Sequence, residues 1–326
     1  MNGTNDPFGL KAALKSLGEG LGSDLDSFLG RFDARSMTIA AFRAFERTAT
    51  GLFGLPAATV AESRDLVVED GSRRIPVRLY RGVDAGKAAP LIVYFHGGAF
   101  IAGSIASHDG IARALANAAR AVLLSVEYRL APEHPWPAAL EDALAVAVRA
   151  RHRAAAHGAD PAKFFLAGDS AGGTIATSTA RLLGEAGNPP AGQVLFYPAT
   201  DLTRARLFSA QPTGLGAIER RGIELFRETV LGADGDLADP NLSPLLAERL
   251  DCLPPAFIAI GGRDPLIEEV EDYGKALEAQ GVPVLMHRCP AQPHGFLGFG
   301  RLMEDAETVI RTAGNWVHRQ RRREHA

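Results

Sequence analysis

Short apolar runs separated by stretches of helical periodicity constrain this chain most. The runs fall at 91–95, 121–128, 164–167, 194–197, 256–260 and 282–287. Between them, helical patterns cover about 109–118, 138–156, 171–185 and 268–280, and a last one covers about 304–320. Short, mostly apolar strands with helices between them predict an α/β fold with a parallel sheet buried on both faces. Two earlier runs, Val67-Val68-Glu69 and Ile75 to Tyr80, lie close together around Gly71. Their short connection predicts an antiparallel start to the sheet.

The rhythm fails at both ends of a possible cap. Residues 1–50 read as helical, with Ile39, Phe42 and Phe45 at helical spacing. The segment 202–239 holds a helical pattern at 217–231 and no clear strand. This divides the chain into an N-terminal cap part (1–50), a first core part (51–201), a cap insertion (202–239) and a second core part (240–326). With 46% hydrophobic and 22% charged residues the composition is that of a soluble globular protein. A net charge of −3 points to neither nucleic acid nor an acidic polymer as partner. The basic run at 319–323 reads as cations at the C-terminal end of the last helix. Cys252 and Cys289 form no Cys-x-x-Cys pair and read as reduced, partly buried thiols of a cytoplasmic protein. The first 23 residues lack the charged and apolar regions of a signal peptide. No run of 18 apolar residues exists, so no membrane span is expected.

Chemistry concentrates at Gly168-Asp169-Ser170-Ala171-Gly172-Gly173. An apolar strand precedes it and a helical pattern follows, the context in which Gly-x-Ser-x-Gly forms a nucleophile elbow. Side chains two residues on either side of the serine would collide, so both positions need glycine. The result is an exposed hydroxyl at a helix N-terminus, where the dipole favours developing negative charge. Such a serine needs an oxyanion hole. His96-Gly97-Gly98-Ala99-Phe100 follows the strand at 91–95 and suits close backbone approach to a carbonyl oxygen. The candidate donors are the N–H groups of Gly97, Gly98, Ala99 and Ala171.

The serine also needs a base and an acid, which in this arrangement follow it in the order acid, then histidine. His287, His294, His318 and His325 follow Ser170. His294 ranks first because it sits in a loop after the last strand. His287 lies within that strand and reads as structural, and His318 and His325 read as solvated. Asp264 ends the strand before and is the first choice of acid. Glu268 and Glu269 are fallbacks that read as surface residues opening a helix.

These motifs together resemble the hormone-sensitive-lipase-like family, the bacterial family IV esterases. The resemblance rests on the His96-Gly97-Gly98 loop, the Ser170 elbow, Asp264-Pro265-Leu266 and His294-Gly295-Phe296. Tyr128-Arg129-Leu130-Ala131-Pro132-Glu133, Tyr197-Pro198 and Asp201 also match, and about residues 60–320 are covered. It implies an α/β-hydrolase fold: a mostly parallel eight-stranded sheet with helices on both faces, and a helical cap. It further implies carboxylesterase activity, with donors at Gly98, Ala99 and Ala171 and with His96 fixing the loop. Ala99 departs from the family, which usually has a third glycine there. Its N–H survives that change, so activity is expected to survive too.

The expected reaction is hydrolysis of short- to medium-chain acyl esters through Ser170, His294 and Asp264. Phe8, Leu10, Phe42, Leu215 and Phe226 from the cap, and Phe100, Leu266 and Phe296 from the core, are candidate pocket residues. The expected partner is a small-molecule ester, with the chain a monomer or homodimer. No cofactor or metal is expected: His-Glu-x-x-His, a Cys/His cluster and a P-loop are all lacking. An amidase or lactonase would use the same trio. A non-catalytic receptor, as in the gibberellin receptors that resemble this family, is disfavoured because His294 is present.

Overall fold

A computed structural model describes residues 36–204, 214–231 and 235–323. One eight-stranded sheet organises it, in the order β1-β2-β4-β3-β5-β6-β7-β8. The strands are β1 (Glu62–Asp70), β2 (Arg73–Arg81), β3 (Ala89–Phe95), β4 (Val122–Val126), β5 (Ala159–Asp169), β6 (Gly192–Phe196), β7 (Ala256–Gly261) and β8 (Val284–Cys289). β2 pairs antiparallel with both β1 and β4, and every later pairing is parallel. Every residue of β3, β4, β6 and β7 is buried. That two-sided burial is why they read as continuous apolar runs. The edge strands β1 and β8 are partly exposed and carry more polar residues.

The helices are α1 (Ile39–Phe53), α2 (Asp109–Ala119), α3 (Ala138–His152), α4 (Ala171–Glu185), α5 (Gly214–Thr229), α6 (Ile267–Ala279) and α7 (Asp305–Arg323). α2 packs on α7, and α3 packs on α4, each pair also touching the sheet. The helical pattern at 138–156 resolves into α3 and a separate 3-10 turn, Ala154–His157. β5 runs longer than its apolar centre because Ala159 pairs with Ala89 across a register shift.

α1 begins at Thr38, whose hydroxyl oxygen accepts the Ala41 N–H at 3.3 Å. It buries Phe42, Phe45, Ala49 and Phe53, spaced three and four apart on one face. α1 also meets α5: a side chain at Gly222 would lie 2.7 Å from the Phe42 ring. Phe8, Leu10 and the Leu215 side chain lie outside the described residues. The loops after β3, β5, β7 and β8 leave the carboxyl ends of parallel strands, the usual location of ligand sites in such sheets. Among the described residues no helix is long and apolar enough to cross a membrane.

Candidate active site

Ser170 joins β5 to α4 with φ +52° and ψ −122°. A non-glycine residue there costs on the order of 1–3 kcal/mol and persists only where its surroundings hold it. They do so here: its N–H donates to Phe196 O at 2.9 Å, and its carbonyl accepts Gly173 N–H at 2.9 Å. The turn is so tight that a Cβ on Gly168 would lie 2.2 Å from Gly172 O, and one on Gly172 would lie 2.1 Å from Phe95 O.

Three side chains from distant loops meet at this turn. Ser170 Oγ lies 2.8 Å from His294 Nε2, and His294 Nδ1 lies 2.8 Å from Asp264 Oδ2. Asp264 is buried, and its other oxygen accepts the Leu266 N–H at 2.8 Å. With one oxygen tied to backbone, the second is aimed at the imidazole. Tyr197 packs edge-on against the His294 ring at 5.0 Å. His287 is half-buried on β8 and stacks on Phe257. His318 lies on α7, and His325 lies outside the described residues. Of the fallback acids, Glu268 is exposed as expected, whereas Glu269 is buried. Its Oε1 accepts the Thr200 and Asp201 N–H groups, so the expectation of a surface residue is corrected.

The loop after β3 turns through left-handed backbone at Gly98 (φ +120°), Ala99 (φ +53°) and Phe100 (φ +60°). The N–H groups of Gly98, Ala99 and Ala171 have no acceptor among the described residues, and all three residues line the cavity that holds Ser170 and His294. Gly97 is a correction: its N–H donates to Asp169 Oδ1 at 2.9 Å and is not free for a substrate oxygen. His96 is buried beneath the loop, with Nδ1 on Gly97 O at 2.8 Å and its ring stacked on Tyr128. Burial, with the neighbouring His108, drives its pKa down to about 3, so it stays neutral. The Tyr128–Glu133 stretch braces the same loop. Tyr128 donates its hydroxyl to His96 O at 2.6 Å, and Ala131 N–H donates to Phe100 O.

A family model for the alpha/beta hydrolase fold matches residues 92–298. The chain is 41% identical to the carboxylic ester hydrolase LipN of Mycobacterium tuberculosis, over 73% of this chain and 65% of that protein's length. It is 38% identical to the esterase LipI of the same organism, over 74% of this chain and 77% of LipI. An esterase structure from Pyrobaculum calidifontis superposes with a TM-score of 0.82 at 30% identity, covering 92% of this chain and 99% of that one. The chain belongs to the α/β-hydrolase family. It is an ester hydrolase of the hormone-sensitive-lipase-like branch.

The cavity of this hydrolase holds about 160 Å³. Phe42, Phe100, Phe226 and Leu266 line it as expected. Phe296 does not: it is fully buried and packs behind the site on Tyr197 at 5.2 Å. Its place in the core follows from the 3-10 turn Phe296–Phe299, which turns the chain inward directly after His294-Gly295. Sequence reasoning missed Phe45 and Ala49 on α1, Leu202 after β6, and Phe299, all in the wall. Phe45 was visible at helical spacing with Phe42, but nothing in the pattern distinguished a wall from core. Glu46 and His108, two polar residues of the wall, gave no signal at all.

Proposed function

We propose that this ester hydrolase cleaves short- to medium-chain acyl esters through Ser170, His294 and Asp264, by way of an acyl-enzyme. The observation that supports the reading is the pair of 2.8 Å contacts in series, hydroxyl to imidazole to buried carboxylate, opening on an apolar cavity. His294 Nε2 takes the Ser170 proton as Oγ forms a bond to the ester carbonyl carbon. The carbonyl oxygen becomes an oxyanion and accepts the N–H groups of Gly98, Ala99 and Ala171. Each such donor is worth roughly 3–4 kcal/mol in the transition state. As the tetrahedral intermediate collapses, His294 returns the proton to the leaving alkoxide and the alcohol departs. Water then adds to the acyl-enzyme by the same route, releasing the acid and restoring Ser170. Asp264 accepts the Nδ1–H of His294, holding the imidazole in the tautomer whose Nε2 accepts and stabilising the imidazolium that forms.

The substrate is a small ester, covered by a cap that we assign to residues 1–50 and 202–239. Support for that division comes from α1 and α5, which touch each other and together supply Phe42, Phe45 and Phe226 to the cavity wall. Turnover of p-nitrophenyl butyrate by Ser170→Ala tests the reading. Activity is expected to fall by about 10⁴-fold or more, and a fluorophosphonate is expected to label the wild type at Ser170 alone. Near-native turnover by the variant would overturn it.

A further inference from the structure

Between the nucleophile and α1 runs a buried polar line that takes no part in the reaction above. Asp169, the residue before Ser170, is buried, and its Oδ1 accepts the Tyr94 hydroxyl at 2.5 Å and the Gly97 N–H at 2.9 Å. Its Oδ2 faces Nε2 of buried His108 at 3.4 Å. On the far side of that ring, Nδ1 bonds the Ser107 hydroxyl at 2.8 Å and lies 4.0 Å from Glu46 Oε1. Glu46 belongs to α1, and Oε1 is buried without a hydrogen bond among the described residues. Glu46, His108 and Asp169 all line the cavity beside Ser170.

The line sets one imidazole between two carboxyl groups, and burial raises the pKa of Glu46 at its outer end. Burial disfavours the His108 cation, but the Asp169 and Glu46 carboxylates outweigh it and raise the imidazole's pKa. Burial likewise disfavours the Asp169 anion, and here His108 prevails and lowers its pKa. A cationic His108 has both ring nitrogens as donors, one toward Asp169 and one toward Ser107. His96, 5.4 Å away ring to ring, stays neutral beside that cation.

We propose that Asp169 and His108 are positioning residues for the oxyanion loop, and that Glu46 anchors the outer end of their line on the cap helix. The proposal rests on the role given above to the Gly98 and Ala99 N–H groups. Those two residues adopt left-handed backbone, which persists only where neighbouring contacts over-determine it. The contact immediately before them is Gly97 N–H on Asp169. Because Asp169 is also bonded in sequence to Ser170, one carboxylate sets the spacing between nucleophile and donors. His108 keeps that buried carboxylate ionised, and so able to accept two hydrogen bonds at one oxygen. A displacement of about 1 Å in such a site lowers the rate by about a hundredfold.

The test compares wild type with His108→Gln, Asp169→Asn and Glu46→Gln. The readouts are kcat and KM for p-nitrophenyl butyrate, the Ki of an alkyl trifluoromethyl ketone, and Tm. The ketone adds the serine hydroxyl and leaves a tetrahedral oxyanion in the hole, so its affinity reports the donors directly. His108→Gln and Asp169→Asn are expected to lose about 10- to 100-fold in kcat with KM nearly unchanged. Their affinity for the ketone is expected to fall by the same factor, and Glu46→Gln is expected to show a smaller loss of both. Lowered Tm with kcat per folded enzyme and ketone affinity unchanged would be a purely structural result and would overturn the proposal. If His108→Gln does not fold, Glu46→Gln decides: unchanged kcat and unchanged ketone affinity overturn it. Should Ser170→Ala be inactive while these variants match wild type, the positioning roles alone fall. An active Ser170→Ala would instead remove the reading on which they rest.

Discussion

Ala99 sits at φ +53°, where glycine would carry no steric cost. Left-handed backbone costs an alanine about 1–2 kcal/mol, and the smaller entropy of its unfolded chain returns roughly 0.5–1 kcal/mol of that. Ala99→Gly is therefore expected to shift stability by no more than about 1 kcal/mol. It keeps its N–H, so kcat is expected to stay within a few-fold. Gly98 is the opposite case. At φ +120°, a Cβ there would lie 2.3 Å from Ala102 O, which is backbone and cannot yield. Gly98→Ala is expected to destabilise by about 2–3 kcal/mol and to lower kcat by about a hundredfold or more as a donor moves. Thermal melts and p-nitrophenyl butyrate kinetics on both variants check the ranking. A benign Gly98→Ala would mean that the loop does not hold this shape when it works.

The helices and strands show which structure can be read from pattern and which cannot. β3, β4, β6 and β7 were legible because burial on both faces leaves them mostly apolar, with Ser125 and Gln193 as the polar exceptions. Ser170, Asp264 and His294 were legible because each follows a strand end, in an order the fold requires. Gly97 was not: its motif offers consecutive N–H groups, and which one is consumed depends on a carboxylate arriving from the end of β5. Glu269 was not either, since helical periodicity does not report that the loop at 200–201 folds over the first turn of α6. Burial, reinforced by the nearby Asp201 and Asp264 charges, raises Glu269 to about 8, despite the two N–H groups that favour its anion. The folded chain then holds a proton that the unfolded chain releases above its ordinary value of 4.5. This contribution to stability is complete below pH 4.5 and is lost as pH rises through about 8. Glu269→Gln keeps an acceptor but cannot ionise, so its Tm is expected to fall less than that of wild type between pH 6 and pH 9. Parallel Tm curves for the two proteins would show that Glu269 does not hold this proton.

At the scale of the molecule, the proposed substrate range rests on α1 and α5, which touch each other and supply Phe42, Phe45 and Phe226 to the cavity wall. The cavity volume of about 160 Å³ is near the roughly 150 Å³ that accommodates a benzene ring in a protein interior. Each methylene of an acyl chain buried against Phe42, Phe226 and Leu266 is worth about 0.8 kcal/mol, or roughly fourfold in kcat/KM. That gain ends when the cavity is full. A longer chain must push the roof aside, and overpacking of this kind costs about 1–3 kcal/mol. Across p-nitrophenyl esters, kcat/KM is therefore expected to rise from acetyl to about hexanoyl and to fall at least about tenfold by dodecanoyl. Phe226 is the residue to move. It is buried, it packs on Phe100 at 5.2 Å, and it belongs to α5, outside the sheet. Phe226→Ala is expected to shift the optimum toward longer chains while lowering stability by about 3–5 kcal/mol. A profile that keeps climbing to dodecanoyl in the wild type would mean that the roof opens freely and that the cavity volume does not select the substrate.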